Sequence, residues 1–355
     1  MGLFPLNKGL LWKEWRQNRW LLAVLFLFVI FTPVIEAMLE WLQTVFGGMM
    51  GILEVDRQWL ALFGFENAWS FEVAGAVRGL IVTESGSAVG FSPLFPLAPV
   101  AVGLWGVLLI ARERTPNTLE FLAAAPVSRR EIAVTKFFFG AMSIIGMMTV
   151  NLLFVLGIML VAPVGYTWTE ALFWFAFCVS YLLSLYSLGF LIAAVTGNWV
   201  ASLGAGLLCS QLHWLLADAI GFFGVPMGLP DSALERIRNG LEYIDLFFYL
   251  SYYAIGQVHM GHVAALFTAF LVLGMLSLRL FEKSPLEKNG QAFVFGSARL
   301  FWRFFIPLIP AALVGNVFSF NWISGLLSAG LAYVAGIRVA DYLMRQMEGN
   351  VIGAR

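Results

Sequence analysis

Long apolar runs recur along the whole chain, and they restrict its possible folds more than any other feature of the sequence. Several reach 18 or more residues, the length that a helix needs to cross about 30 Å of hydrocarbon. Only helices and closed barrels satisfy every backbone hydrogen bond in lipid, and continuous rather than alternating runs select helices. Charged residues make up 12% of the 355 residues, well below their usual share in soluble domains. The sequence therefore predicts an all-α polytopic membrane protein.

About eight transmembrane helices are predicted from these runs. Pro33 lies in the first of them, where a bend is expected if the helix continues to Trp41. The approximate limits of the eight are 20–36, 93–111, 136–162, 170–195, 199–221, 262–281, 300–318 and 321–338.

Three further segments have a distinctive composition. Residues 7–20 predict an amphipathic helix lying on the membrane, with Trp12 on its apolar face and Glu14 on its polar face. A simple start to the first span, anchored by Trp residues, is the alternative. Residues 36–92 are long and acidic, and their Gly and Ser residues indicate short helices and loops. Residues 226–257 contain an apolar, tyrosine-rich run that is too short to span, which suits a re-entrant or interfacial segment.

The distribution of basic residues predicts the orientation. Segments 1–20, 111–136, 279–303 and 338–355 contain 17 of the 21 Lys and Arg residues, and the segments on the other side contain four. Cytoplasmic loops of membrane proteins carry such an excess. Both termini and the loop at 111–136 are therefore predicted to be cytoplasmic, in a plasma membrane of bacterial type.

Few ionisable residues lie within the predicted spans, although such residues are the usual functional candidates in a membrane. His213 and Asp218 share the fifth span, but their separation of five residues puts them on different helix faces. His259 and His262 could share a face, where ordinary interfacial histidines are a simpler interpretation than a metal site. No phosphate-binding loop, H-E-x-x-H, C-x-x-C or G-x-S-x-G motif occurs. A catalytic, metal or cofactor site in this chain is therefore not expected, and a membrane enzyme or ion-coupled carrier is the less favoured class.

The net charge and the cysteines add two smaller constraints. The formal net charge is zero, so no basic surface indicates binding to nucleic acid. Cys178 and Cys209 lie inside predicted spans, and we interpret them as buried small hydrophobic residues.

The densest charged segment, 111–140, lies between the second and third spans. Thr115 before Pro116 is an N-cap with proline at the first helical position, and Pro126 ends that helix. A capping box, S-x-x-E at 128–131, begins the helix that enters the third span. We therefore expect a short helix across the cytoplasmic mouth that exposes apolar side chains for docking. A plain basic loop with an interfacial helix is the alternative.

The run from Arg112 to Lys136 is R-E-R-x(3)-T-L-E-F-L-x(3)-P-V-S-R-R-E-I-x(3)-K. It resembles the signature of the ABC-2 type transporter permeases, in which the typical run is E-R-E-R-G-T-L-E-x-L-x(3)-P-V-S-R-x-E-I-x(3)-K. The resemblance implies that Thr118–Ala125 is the coupling helix, seated in a groove of a separate ATPase subunit. It also implies that Glu113 and Arg114 form the acidic and basic pair before that helix.

The same resemblance implies an exporter-like core of six helices over 1–281, with 7–20 as its elbow helix, 112–131 as its coupling region and 226–257 as its outer re-entrant segment. Residues 282–355 would add a basic cytoplasmic loop, two transmembrane helices and a cytoplasmic tail. Two features depart from the family pattern. A Pro-Asn-Thr sequence stands where the family has Gly-Thr, and eight spans are predicted where the family core has six.

The function that the resemblance implies is that of the permease subunit of an ABC exporter, which moves an amphiphilic, peptide, lipid or glycan cargo outward. Its partners would be two soluble ATPase subunits that bind ATP and Mg²⁺, a second permease that is identical or paralogous, and membrane lipid. The alternative is a non-transporting sensor or mechanical coupler, responding to an extracellular ligand such as a cell-envelope-active compound through 36–92. The expected ATPase-docking residues are Arg112, Glu113, Arg114, Thr118, Leu119, Glu120, Phe121, Leu122, Pro126, Arg129 and Arg130.

Overall fold

The computed structural model describes residues 8–46, 97–114, 127–161, 167–206 with Cys209, 230–242, 260–285, 291–317 and 322–352. A further helical stretch covers 199–206. The main helices of this part of the chain are α1 (Lys8–Phe46), α2 (Leu97–Arg114), α3 (Arg129–Val161), α4 (Trp168–Val195), α5 (Asp231–Glu242), α6 (Met260–Lys283), α7 (Gly296–Phe305), α8 (Leu308–Val317) and α9 (Trp322–Ile352).

The predicted helical membrane fold is confirmed. Within the described residues, four helices are long and apolar enough to cross a membrane, over Arg129–Gly157, Trp168–Val195, Met260–Lys283 and Ile323–Gln346, and a shorter apolar helix covers Ala98–Arg112. These five correspond to the predicted third, fourth, sixth, eighth and second spans. Most of the predicted fifth span lies outside the described residues, and so do most of the outer segments 36–92 and 226–257.

Three predicted boundaries differ from the structure. The elbow, the first span and the start of the outer segment form the single helix α1. No Gly or Pro interrupts the sequence between Gly9 and Pro33, and the helix continues past Pro33 to Phe46. The predicted seventh span is divided into α7 and α8 at Pro307, which has no N–H to continue the helical ladder. Most of the predicted polar tail is helical, because α9 continues to Ile352.

Helix α4 lies at the centre of the bundle and packs against α2, α3 and α6. Its contact with α2 is a close backbone crossing, since a Cβ atom at Gly106 would lie 2.9 Å from the backbone nitrogen of Phe190. Small residues permit such crossings between membrane helices. The Tyr186 hydroxyl crosses to α3, where it donates to the Lys136 and Phe137 carbonyl oxygens at 3.3 and 3.1 Å. Cys178 is buried here, as predicted, and Cys209 is half-buried.

A second apolar cluster joins the C-terminal helices to the end of α4. Phe293 and Trp302 pack there with Met344 and with residues of the 199–206 helix. Backbone hydrogen bonds fasten 291–295 to the turn after α4, where Val294 donates to the Val195 carbonyl at 3.0 Å. Residues 196–198 lie between α4 and the 199–206 helix and connect the two directly.

Candidate functional site

The helix ends that the charge distribution places on one side of the membrane lie together in the structure. At the end of α2, Arg112 donates to the Gln17 carbonyl oxygen of α1 at 3.3 Å. Two residues later, Arg114 donates to the Ala194 carbonyl oxygen of α4 at 3.2 Å and to the Thr196 carbonyl oxygen. Helices α1, α2 and α4 therefore converge where the charged segment begins.

Arg114 is almost completely buried, at 1% exposed. Its guanidinium lies 5.9 Å from the centroid of the Phe281 ring and 3.5 Å from the Ser284 Oγ atom. The carbonyl groups that accept its hydrogen bonds lie at the C-terminal end of α4, where they lack partners within the helix and carry partial negative charge. Burial lowers the pKa of Arg114 to about 10, so the group stays protonated at neutral pH. Carbonyl oxygens at a helix C-terminus thus stabilise this cation.

The other end of the charged segment is fixed by the predicted capping box, which is confirmed. The Glu131 backbone N–H donates to Ser128 Oγ at 3.2 Å, and the Ser128 N–H donates to Glu131 Oε2 at 2.9 Å. Arg129, which follows Ser128, donates to the Ser284 carbonyl oxygen at 3.2 Å. Arg114 and Arg129 therefore meet at Ser284, just after α6, so the end of α2 and the start of α3 lie at one place in the bundle.

A buried ion pair connects α1 to α3 next to this point. Lys136 Nζ lies 2.8 Å from Glu14 Oε1 and 3.1 Å from the Leu109 carbonyl oxygen, and both charged side chains are 2% exposed. Asn18 donates to Glu14 Oε2 at 3.1 Å. This network ties together three helices, because a buried charge requires both a counter-ion and hydrogen bonds.

Sequence reasoning missed this pair. Glu14 was expected on the solvated face of 7–20, and it lies in the interior instead. Two signals pointed to the pair. Lys136 is followed by three phenylalanines at the predicted start of a span, where a cation needs a partner. Glu14 and Asn18 are four residues apart and so share one helix face.

The structure separates the predicted docking residues into two groups. Arg112, Arg129 and Arg130 are exposed, whereas Arg114 is buried and cannot itself contact a partner. Arg114 instead fastens the end of α2 to the end of α4 and to Ser284. The Glu113 side chain and Thr118, Leu119, Glu120, Phe121, Leu122 and Pro126 lie outside the described residues, as do His213, Asp218 and His259.

The apolar bundle, with charged groups gathered at its helix ends, defines the class: a multi-pass helical membrane protein. The sequence model of the family described as "ABC-2 family transporter protein" matches residues 9–286. The chain therefore belongs to this family. The chain is also similar to "Probable ABC transporter permease YtrC" of Bacillus subtilis (strain 168), with 23% identity over 299 residues that cover 81% of each chain. No solved structure matches the chain. The matched family region ends just after α6, so α7, α8 and α9 lie beyond it.

Proposed function

We propose that this chain is the permease subunit of an ABC exporter and that a separate ATPase subunit docks on residues 112–131. One observation carries the proposal: Arg114 and Arg129 fasten both ends of that segment to Ser284. A displacement applied to residues 112–131 would therefore pass directly to the helices that these two arginines contact.

The anchoring contacts suggest how force reaches the spans. Arg114 connects the segment to the C-terminal end of α4, and Ser284 connects it to α6. The Glu14–Lys136 pair carries the displacement of α3 to α1. Closure of an ATPase dimer would then rock these helices as a unit and switch access across the membrane. Interactions with buried charged groups are suited to this role, because they are costly to break.

The proposed assembly contains two permease subunits, identical or paralogous, and two soluble ATPases that bind ATP and Mg²⁺. The chain itself would hold no nucleotide. Its termini and the docking segment would face the cytoplasm of a bacterial-type cell, and the cargo would be an amphiphile, peptide, lipid or glycan that moves outward.

The docking step is tested by co-purification of the tagged full-length chain with its ATPase. Leu119→Asp places a charge on the expected apolar docking face, and loss of one central anchor at an interface typically costs about 2 kcal/mol, or roughly thirtyfold in affinity. Arg236→Ala is the control, since Arg236 is an exposed arginine on α5, which is predicted to lie on the other side of the membrane. Unchanged ATPase binding by Leu119→Asp would refute docking at this segment.

Transmission is tested separately with Arg129→Ala. We expect this variant to lose more stimulation of ATP hydrolysis than its loss of ATPase binding accounts for, because Arg129, itself an expected docking residue, also fastens the base of the segment to Ser284. Reconstitution of the complex in liposomes then distinguishes transport from sensing. Stimulated hydrolysis without cargo flux would favour the sensor or mechanical coupler.

A further inference from the structure

The N-terminal part of α1 presents an exposed face on which indoles and guanidinium groups alternate. Trp12, Trp15 and Trp20 are 60%, 58% and 75% exposed, and Arg16 and Arg19 are exposed among them. The Arg16 guanidinium lies 5.3 Å from the centroid of the Trp12 ring, and that of Arg19 lies 5.7 Å from the Trp20 ring. Stacking on an indole restrains a guanidinium, and its planar fork of N–H donors suits a phosphate.

The exposed charge on this face is entirely positive. Glu14 is the only acidic residue between positions 8 and 20, and it is buried against Lys136. Arg112 of α2 is exposed beside the same face, where its hydrogen bond to the Gln17 carbonyl oxygen holds it. An anion that approaches therefore meets guanidinium groups from two helices, and no carboxylate of 8–20 competes with it.

The same face continues without interruption into aliphatic side chains. At 100° per residue, Arg16, Trp20 and Leu27 lie on one side of the helix. Val24 and Leu27 are 50% and 59% exposed. Leu27 lies about 16 Å along the axis from Arg16 at 1.5 Å per residue, which is close to half of a hydrocarbon core of about 30 Å. The order of guanidinium, indole and aliphatic groups matches the phosphate, interface and acyl chain of a phospholipid.

We propose that the exposed face of α1 from Trp12 to Leu27 is a binding site for an anionic phospholipid of the leaflet that contains the N-terminus. The phosphate lies against Arg16 and Arg19, and an acyl chain lies along Val24 and Leu27. The aliphatic continuation favours a lipid over a soluble anion or an acidic protein surface. The proposal does not depend on ATPase docking, because it concerns the chain alone in the membrane.

The test is native mass spectrometry of the purified full-length chain, released from bilayers of equal parts phosphatidylglycerol and phosphatidylcholine. We expect the wild-type chain to retain phosphatidylglycerol preferentially. Because each cation near an anionic surface contributes a factor of about five, Arg16→Gln with Arg19→Gln should lower the ratio of the two retained lipids by roughly tenfold or more. Replacement of both residues by Lys should preserve part of the preference. Arg236→Gln is the matched control and should leave the ratio unchanged.

Several results would overturn the proposal. The first is an absence of lipid preference in the wild-type chain. The second is an unchanged ratio in the double Gln variant when its thermal unfolding matches that of the wild type. Displacement of phosphatidylglycerol by inorganic phosphate would assign the face to a soluble anion, and displacement by added ATPase would assign it to a protein partner. ATPase docking at residues 112–131 can fail in its own test without changing the lipid ratios of the wild-type chain and its variants.

Discussion

Removal of the buried cation of α3 provides the most direct test of the site. Lys136→Met keeps the length of the side chain and leaves the Glu14 carboxylate buried without its partner at 2.8 Å. Among the described residues, Asn18, at 3.1 Å, and Lys13, whose Nζ lies 3.7 Å away, then remain to stabilise that charge. Removal of one partner from a buried pair typically costs roughly 3–5 kcal/mol. Because Lys13 compensates part of the loss, we expect a decrease of about 3 kcal/mol in the free energy of unfolding.

A double-mutant cycle separates the pair from its surroundings. Glu14→Gln in combination with Lys136→Met removes both charges and retains an amide beside Asn18, so most of the lost stability should return. Unfolding of the full-length chain in mixed micelles, followed by tryptophan fluorescence, measures each variant. The control is Lys283→Met, an exposed lysine at the end of α6, for which we expect a change within about 0.5 kcal/mol.

Two outcomes would refute this reasoning. A loss below about 1 kcal/mol for Lys136→Met would mean that the pair is solvated, since exposed ion pairs contribute that little. A double variant no more stable than the single variant would mean that Lys136 acts through its hydrogen bond to the Leu109 carbonyl oxygen rather than through Glu14. ATPase stimulation by the same variants shows whether the connection to α1 also transmits force.

Three further predictions concern packing and capping. Gly106→Ala should destabilise the fold by about 1–3 kcal/mol, because its Cβ atom meets the backbone of α4. A Cβ atom at Gly146 meets no atom within 4 Å, so Gly146→Ala should be tolerated, and thermal unfolding compares the two variants. Ser128→Ala should cost about 1 kcal/mol by removal of the cap of α3, and faster hydrogen exchange confined to the first turn of α3 would report it. Tyr186→Phe removes hydrogen bonds to α3 without creating a cavity and should cost about 1 kcal/mol; an unchanged melting temperature would show that these bonds contribute nothing.

The features that sequence reasoning predicted correctly depend on local chemistry. The capping box needs only Ser128 and Glu131 three residues apart, so its geometry follows from the chain itself once a helix begins there. The spans follow from apolar length in the same way. The family follows from the order and spacing of the run at 112–136, which the match over 9–286 confirms.

Two predicted boundaries were wrong because each was placed at a change in composition. Residues 7–20 have the composition of an interfacial helix, and the prediction ended them where the polar residues end. Helix α1 continues from the polar residues into the first span, because no Gly or Pro lies between Gly9 and Pro33 and a change in side-chain polarity does not itself end a helix. Polarity likewise does not end α9, which continues through residues that were expected to form a polar tail.

Neighbouring residues suffice to predict a helical membrane protein with a capped, charged segment, because periodicity, length and capping are local properties. The identity of the groups that meet depends on contacts between distant parts of the chain. Glu14 and Lys136 are 122 residues apart, and Arg114 reaches carbonyl groups 80 and 82 residues away. The pairing of Arg114 accompanies the close crossing of α2 and α4 at Gly106, which brings these two helices into contact. Arg114, expected to touch a partner, is buried there and fastens the end of α2 to α4 instead.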